Sequence, residues 1–150
     1  MSKIRLPAKI EHLERIIEFV AGHAEGAGFP IGRIKEIELA AEEVLVNIFN
    51  YAYPGTTGDV MIDCSIKDDI RFVVEISDNG APFDILAVPD PDVTADISDR
   101  EIGGLGVFFV KQMADEARYR REAGRNVLTL IFNRQGAGVE KWGRPGNVEK

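Results

Sequence analysis

One long amphipathic helix is the feature that most constrains this chain. In the run 31–51 apolar residues recur at helical spacing, and about 100° per residue places them on one side of a helix. The apolar residues on that side are Ile34, Ile37, Ala41, Val44, Leu45 and Ile48. The polar residues that fall together on the opposite side are Glu36, Glu43, Asn47 and Asn50. The pattern predicts a single helix from Ile31 to Tyr51.

The polar side of this helix carries an acid and an amide one helical turn apart. Glu43 and Asn47 are separated by four residues, so their side chains lie above one another. A carboxylate and a carboxamide in this arrangement can hold a metal ion and activate a hydroxyl or a water. An ordinary solvated face is the alternative explanation of such a stripe. A magnesium–nucleotide site therefore requires other segments that bind a base and phosphates.

The rest of the chain predicts an α+β fold. Alternating apolar residues indicate an edge strand and two hairpins, and helical spacing indicates two further helices. The predicted strands are 4–8, 60–65, 70–77, 117–122 and 126–133, and the further helices are 9–25 and 105–113. Antiparallel hairpins with helices gathered on one face make a two-layer α/β sandwich with a mixed or antiparallel sheet.

Length and charge restrict the functional classes. The chain has 150 residues and a formal net charge of −7, which fits one domain and argues against nucleic acid as a partner. We predict a domain over 1–134 and a C-terminal tail over 135–150, whose main apolar residues are Val139, Trp142 and Val148. The single cysteine, Cys64, excludes an internal disulfide framework. No apolar stretch is long enough to span a membrane, so the cytoplasm is the expected compartment.

A second polar segment follows the strand that ends at Ser77. Asp78-Asn79-Gly80 places a carboxylate at a strand end, where it can accept a hydrogen bond from the exocyclic amine of a base. Gly80 would let the backbone approach closely or adopt a positive φ. The alternative is a common turn without a ligand.

A third segment is rich in glycine. Gly103-Gly104-Leu105-Gly106 precedes an apolar helix, where backbone N–H groups and the helix dipole favour an anion. No Gly-Lys-Ser/Thr follows, so this is not a P-loop. A long loop precedes it in place of a strand, which excludes the dinucleotide fingerprint. A flexible entry into the helix is the alternative interpretation.

The order of these segments resembles the Bergerat-fold ATPases, the superfamily of gyrase, histidine-kinase and mismatch-repair ATPase domains. The motifs are Glu43…Asn47, Asp78-x-Gly80 and Gly104-x-Gly106, followed by Thr129 in the last strand. Residues 105–116 are similar to the anti-sigma-factor serine kinases of bacteria. The resemblance covers roughly residues 4–133 and implies ATP and Mg²⁺ as cofactors.

The resemblance also implies a role for each site residue. Asn47 would hold Mg²⁺ through its side-chain oxygen, and Glu43 would be the general base. Asp78 would hydrogen-bond the adenine amine, and Gly80 would allow the adenine close to the backbone. Thr129 would reach adenine through a water.

The phosphate end of the implied site involves two further sets of residues. Asn50 would line it, and the residues that would cradle the phosphates are Gly103, Gly104, Leu105 and Gly106. The loop 84–102 would be the lid over ATP. Kinases of this branch often carry an arginine just before the glycine pair, where this chain has Ile102 and Gly103. Arg100 is the nearest arginine and is our candidate for the γ-phosphate.

The implied function is an ATP-dependent serine/threonine protein kinase. Its substrate would be a STAS-type anti-sigma-factor antagonist, and it would sequester a sigma factor or a comparable regulator. The resemblance is compatible with a homodimer. An ATP-gated binding module with little phosphoryl transfer is the main alternative. A detached histidine-kinase ATP domain is less favoured, because the chain has no phosphoacceptor hairpin and only two histidines, His12 and His23.

A basic cluster lies near the second hairpin. Its members are Arg118, Arg120, Arg121 and Arg125. We favour a solvated hairpin over a partner patch as its explanation.

Overall fold

A five-stranded antiparallel sheet with helices packed on one face forms the domain. The computed structural model describes residues 2–87 and 110–134. The strands are β1 Lys3–Pro7, β2 Asp59–Lys67, β3 Arg71–Asp78, β4 Glu116–Glu122 and β5 Arg125–Asn133. Their order in the sheet is β1-β2-β3-β5-β4, and every pair is antiparallel. The predicted α+β sandwich is therefore confirmed.

Two long helices cover the sheet. They are α1, Leu13–Gly26, and α2, Ile31–Tyr51. The bounds of α2 are those predicted, and the chain turns away at Tyr53-Pro54-Gly55. The first helix begins later than predicted, because Ile10–His12 form a 3₁₀ turn before it. Such turns commonly precede α-helices. Shorter helical segments lie at Ile85–Ala87 and at residues 110–113.

Tight turns close both hairpins. Asp68 and Asp69 have φ values of 56° and 62°, and Ala123 and Gly124 have values of 53° and 78°. Two consecutive left-handed residues are typical of the turns that match the right-handed twist of paired strands. The turns set the register within each hairpin. In the pairing between the two hairpins, Asp78 of β3 faces Asn126 of β5.

The core lies between the helices and one face of the sheet. Because successive side chains of a strand point to opposite faces, alternate residues of β3 and β5 are buried there. These residues are Phe72, Val74, Ile76, Leu128, Leu130 and Phe132. Asp78 and Asn126 continue the same alternation. The strand period therefore places two polar side chains on the helix-covered face at the end of the core.

A buried arginine fixes the first turn of α2 to the rest of the domain. Arg33 is 3% exposed, and its side chain donates to Glu36 at 2.6 Å and to the Asp115 carboxylate. It also donates to the carbonyls of Met113 at 3.0 Å and Asn133 at 2.9 Å. Its charge is thus fully compensated by residues that come from three parts of the chain.

None of the helices within 2–87 and 110–134 is long and apolar enough to cross a membrane.

Candidate functional site

A mostly apolar cleft lies between the last turns of α2 and the adjoining ends of β3, β4 and β5. Its volume is about 190 Å³. The apolar or aromatic residues that line it are Val44, Ile48, Tyr51, Ala52, Ile76, Ala81, Pro82, Phe83, Ile85, Tyr119 and Leu128. Its polar residues are Asn47, Asp78 and Asn126. Asn47 and Asp78, which come from two of the predicted motifs, therefore border one cleft.

The Asp78 carboxylate is held by one of its two oxygens. Oδ1 accepts hydrogen bonds from the backbone N–H of Gly80 at 2.8 Å and from Nδ2 of Asn126 at 3.0 Å. The residue is only 4% exposed. Among the described residues none donates a hydrogen bond to Oδ2. This arrangement orients a carboxylate at the cleft and leaves one oxygen for the donor of a bound molecule.

Asn126 holds that carboxylate in place. Its Oδ1 accepts hydrogen bonds from the Tyr119 hydroxyl at 2.6 Å, Arg121 Nη1 at 3.1 Å and the backbone N–H of Phe83 at 3.1 Å. Its Nδ2 also donates to the carbonyl of Ala81 at 2.8 Å. Asn126 was not among the site residues predicted from the sequence. The available signal was a polar side chain at a position that shares a strand face with Leu128.

Thr129 does not reach the cleft. It lies one residue beyond Leu128, so its side chain is on the opposite face of the sheet. There its hydroxyl donates to the Glu75 carboxylate at 3.4 Å. The structure therefore does not bring Thr129 to the cleft, and Asn126 is the polar residue of β5 that lines it.

The polar side of α2 points partly toward the cleft. Nδ2 of Asn47 donates to the Glu43 carbonyl at 3.3 Å, and Oδ1 accepts no hydrogen bond from the described residues. Glu43 and Asn50 are not among the cleft residues, and Asn50 is exposed.

Burial, followed by the charge of neighbouring Glu42, raises the pKa of Glu43. A raised pKa brings a carboxylate closer to the pH range in which a general base works best.

A metal ion at this site would depend on few protein ligands. Within the described parts of the chain no group of three or more His, Cys, Asp or Glu residues could hold one. The Asn47 oxygen fits Mg²⁺, which is usually bound through one or two protein oxygens together with phosphates and waters.

The chain matches a known protein family over most of its length. The histidine kinase-like ATPase domain matches residues 6–132. The chain belongs to this family. The match spans both helices, the apolar cleft and all of its polar residues.

Curated proteins similar to this ATPase domain are named as kinases. The serine-protein kinase RsbW of Listeria monocytogenes is 29% identical over 134 residues, which are 86% of this chain and 85% of the relative. The protein of the same name from Bacillus cereus is 27% identical over 147 residues, which are 95% of this chain and 91% of the relative. The ATPase domain thus matches most of the length of both.

Solved structures share the fold. A structure of the RsbU and RsbW domains of a Mycobacterium tuberculosis protein has a TM-score of 0.59 at 16% identity, over 88% of this chain and 32% of the other. The histidine kinase domain of a blue-light activated histidine kinase from Erythrobacter litoralis has a TM-score of 0.53 at 19% identity, over 86% of this chain and 62% of the other.

Gly80 of the ATPase domain is required by packing. A Cβ atom there would lie 2.3 Å from the carbonyl oxygen of Ala52 and 2.7 Å from its Cβ, at the end of α2. The next residue, Ala81, donates its N–H to the same carbonyl at 3.1 Å. Gly80 is not among the residues with positive φ and does not line the cleft. The close approach predicted for Gly80 is therefore to helix α2.

We expect Gly80→Ala to destabilise the ATPase domain by about 1–3 kcal/mol, because the added methyl group meets backbone atoms that cannot move without shifting the helix end. Urea unfolding would measure the loss. Gly32→Ala is the matched control, since a Cβ at Gly32 meets nothing within 4 Å. Equal stability of the two variants would contradict the packing role.

The basic cluster of β4 and β5 divides into two sets. Arg118 pairs with Glu116 and Arg120 with Glu122 on the exposed hairpin, as a solvated face would. Arg121 instead donates to the Gly80 carbonyl at 2.9 Å as well as to Asn126. Arg125 donates to the Ser77 hydroxyl at 3.0 Å. Arg121 therefore supports the segment that carries Asp78.

The predicted phosphate residues lie outside the described residues. They are Arg100, Gly103, Gly104, Leu105 and Gly106. Residues 88–102 of the predicted lid and the tail 135–150 lie outside them too.

Proposed function

We propose that this protein is an ATP-dependent serine/threonine protein kinase of the anti-sigma-factor class. It transfers the γ-phosphoryl group of ATP to a serine of a STAS-type antagonist and sequesters a sigma factor or a comparable regulator. The observation that carries the proposal is that Asn47 and Asp78 border one apolar cleft. The curated relatives support it, because they are named serine-protein kinases and match over 85–91% of their own length.

The adenine ring occupies the apolar cleft. Side chains such as Ile48, Ile76 and Leu128 supply apolar walls for a planar base. The free oxygen of Asp78 accepts a hydrogen bond from the exocyclic amine. The volume of about 190 Å³ is smaller than the roughly 300–1,000 Å³ of sites that enclose a whole ligand. The ribose and phosphates therefore extend beyond the described walls.

Asn47 holds Mg²⁺ at the phosphate end. Its Oδ1 is a neutral oxygen ligand of the kind that hard cations accept. Bound Mg²⁺ neutralises charge that develops on the transferred phosphoryl group. By resemblance, Gly104 and Gly106 donate backbone N–H groups to the phosphates, and Arg100 reaches the γ-phosphate.

Glu43 is the general base. It lies one helical turn from Asn47 and has a raised pKa, so its carboxylate is a competent proton acceptor. It takes the proton of the substrate serine hydroxyl as that oxygen bonds to the γ-phosphorus. The bond between the γ-phosphorus and the bridging oxygen breaks, and ADP leaves.

We expect Asp78→Asn to weaken ATP binding by about 10- to 150-fold, which corresponds to the loss of about 1.5–3 kcal/mol from a hydrogen bond to a charged group. An asparagine oxygen can still accept from Gly80 and Asn126, so the fold is retained. Its NH₂ group then faces the donor amine of adenine. Isothermal titration calorimetry with ATP measures the change.

Asp63→Asn is the matched control for that measurement. Asp63 is in β2 on the exposed face of the sheet and pairs with Lys3 at 3.9 Å. Its substitution should leave ATP affinity unchanged. If ATP affinity were also unchanged in Asp78→Asn, the assignment of the cleft as the adenine site would be wrong.

Labelling of candidate substrates tests the function itself. The purified protein is mixed with Mg²⁺, [γ-³²P]ATP and STAS proteins from the same genome. Label on a serine of one candidate, with no label on a variant in which that serine is alanine, is the expected result. ATP binding without transfer to any candidate would contradict the kinase and indicate the ATP-gated binding module.

A further inference from the structure

A second groove, which shares no lining residue with the apolar cleft, lies between the last turns of α1 and strands β2 and β3. Its volume is about 320 Å³. The residues that line it are Gly22, His23, Gly26, Ala27, Cys64, Ser65, Ile66 and Phe72. Small residues on α1 keep it open, because a Cβ at Gly22 or Gly26 would meet nothing within 4 Å. Ile66 leaves 41% of its surface exposed there.

The described chain ends beside this groove. The N–H of Arg134 donates to the Ile70 carbonyl at 2.8 Å, which continues the pairing of β5 with β3. Its Nη1 donates to the carbonyl of Ala27 at 3.0 Å, and its Nη2 donates to the carbonyl of Asp69. A cation at the C-terminal end of a helix is favourable. These contacts direct the chain out of β5 at the end of α1.

The residues that follow include the only tryptophan of the chain. Trp142 comes eight residues after Arg134, a distance that an extended chain spans up to about 26 Å. Helix α1 has 14 residues and is therefore about 21 Å long. Trp142 can reach any part of the groove from Arg134.

The charges that flank Trp142 and the size of its side chain also suit this groove. Lys141 and Arg144 flank Trp142 in the sequence, and Asp68 and Asp69 are exposed in the turn that Arg134 contacts. A tryptophan buries about 150–250 Å² when it enters an apolar site. A tethered segment also competes well with any separate partner, because its effective concentration is of millimolar order.

We propose that the C-terminal segment 135–150 folds back along α1 and inserts Trp142 into this groove. The groove is then an intramolecular docking site, and Arg134 is the residue that directs the segment into it. The site is separate from the nucleotide cleft, and the proposal does not depend on kinase activity.

The fluorescence of Trp142 in the full chain tests the proposal. We expect blue-shifted emission and a quenching constant for acrylamide about threefold lower than that of an exposed tryptophan, because a buried ring is shielded from collision. Gly22→Leu fills the groove without backbone strain. It should shift the emission to longer wavelength and raise the quenching constant to the exposed value. Ile66→Lys should do the same by placing a charge at the rim.

Two control variants separate occupancy from general effects. Gly32→Leu introduces the same side chain at a helical glycine with open space outside the groove. Ile10→Lys introduces the same charge at an isoleucine that is 62% exposed and lies before the start of α1. Both should retain the protection of Trp142.

Three results would overturn the proposal. The first is a fully quenchable Trp142 in the unsubstituted protein. The second is protection that survives both groove variants. The third is protection that disappears on dilution, since that would place the segment of a second copy in the groove.

Discussion

Glu43→Gln is expected to lower the rate of phosphoryl transfer by about 10²- to 10⁴-fold while ATP affinity stays nearly unchanged. The amide has almost the shape of the carboxylate but cannot accept the serine proton. Glu43 is not among the residues that line the base cleft, so adenine binding should not depend on it. Single-turnover labelling of the STAS substrate measures the rate, and calorimetry measures the affinity.

Glu42→Gln is the control for this experiment. Glu42 is exposed and lies about 100° around the helix from Glu43, so it cannot take the same proton. Transfer should persist in this variant. A comparable loss in both variants, or a parallel loss of ATP binding in Glu43→Gln, would contradict the role of general base.

The same pair of residues predicts the pH dependence of transfer. Burial and then the charge of Glu42 raise the pKa of Glu43 above its ordinary 4.5. Because the deprotonated form is active, the rate falls as pH drops through that raised value. Removing the Glu42 charge lowers the pKa, so the acid limb of Glu42→Gln should move to lower pH. A limb that moves upward would contradict this account.

Arg33→Ala is expected to cost about 3–5 kcal/mol of folding free energy, the largest stability effect that the structure predicts. The substitution leaves Asp115 buried without its cation and leaves the carbonyls of Met113 and Asn133 without their donor. Asp115 already has one buried oxygen without a hydrogen-bond partner. Urea unfolding at neutral pH measures the change.

Arg118→Ala provides the comparison. Arg118 pairs with Glu116 at 3.1 Å, but both side chains are largely exposed. Such a pair contributes about 0–1 kcal/mol. Similar losses of folding free energy in the two variants would show that burial does not increase the contribution of the Arg33 charge to stability.

Most of the fold was predictable because its signals are local. Helical spacing alone predicts α2 with the bounds Ile31–Tyr51, and strand alternation with turn residues predicts both hairpins. The proximity of Asn47 and Asp78 could not be predicted from local signals. No local pattern joins residues so far apart in the sequence, and that expectation came from the resemblance to a known fold.

The missed residues depend on distant partners. Arg33 is in the first turn of α2, and its burial is decided by Met113, Asp115 and Asn133, which only the folded chain brings to it. Strand alternation places Asn126 on the face of Leu128, but its role depends on Asp78, which only the folded sheet brings opposite it. The resemblance proposed Thr129 by its residue type, and strand alternation places its side chain on the face away from the cleft.

The bonding of Asn126 limits how the base preference of this protein can be redesigned. The Asn126 amide connects three parts of the site by hydrogen bonds. Its nitrogen donates to Asp78 and to the Ala81 carbonyl. Its oxygen accepts from the Phe83 N–H and from Tyr119 of β4. Asp78→Asn keeps an oxygen that accepts from Asn126, but a side chain without such an oxygen would leave the Asn126 NH₂ group without that partner. Libraries aimed at another purine that go beyond Asp and Asn at position 78 should therefore vary positions 78 and 126 as a pair.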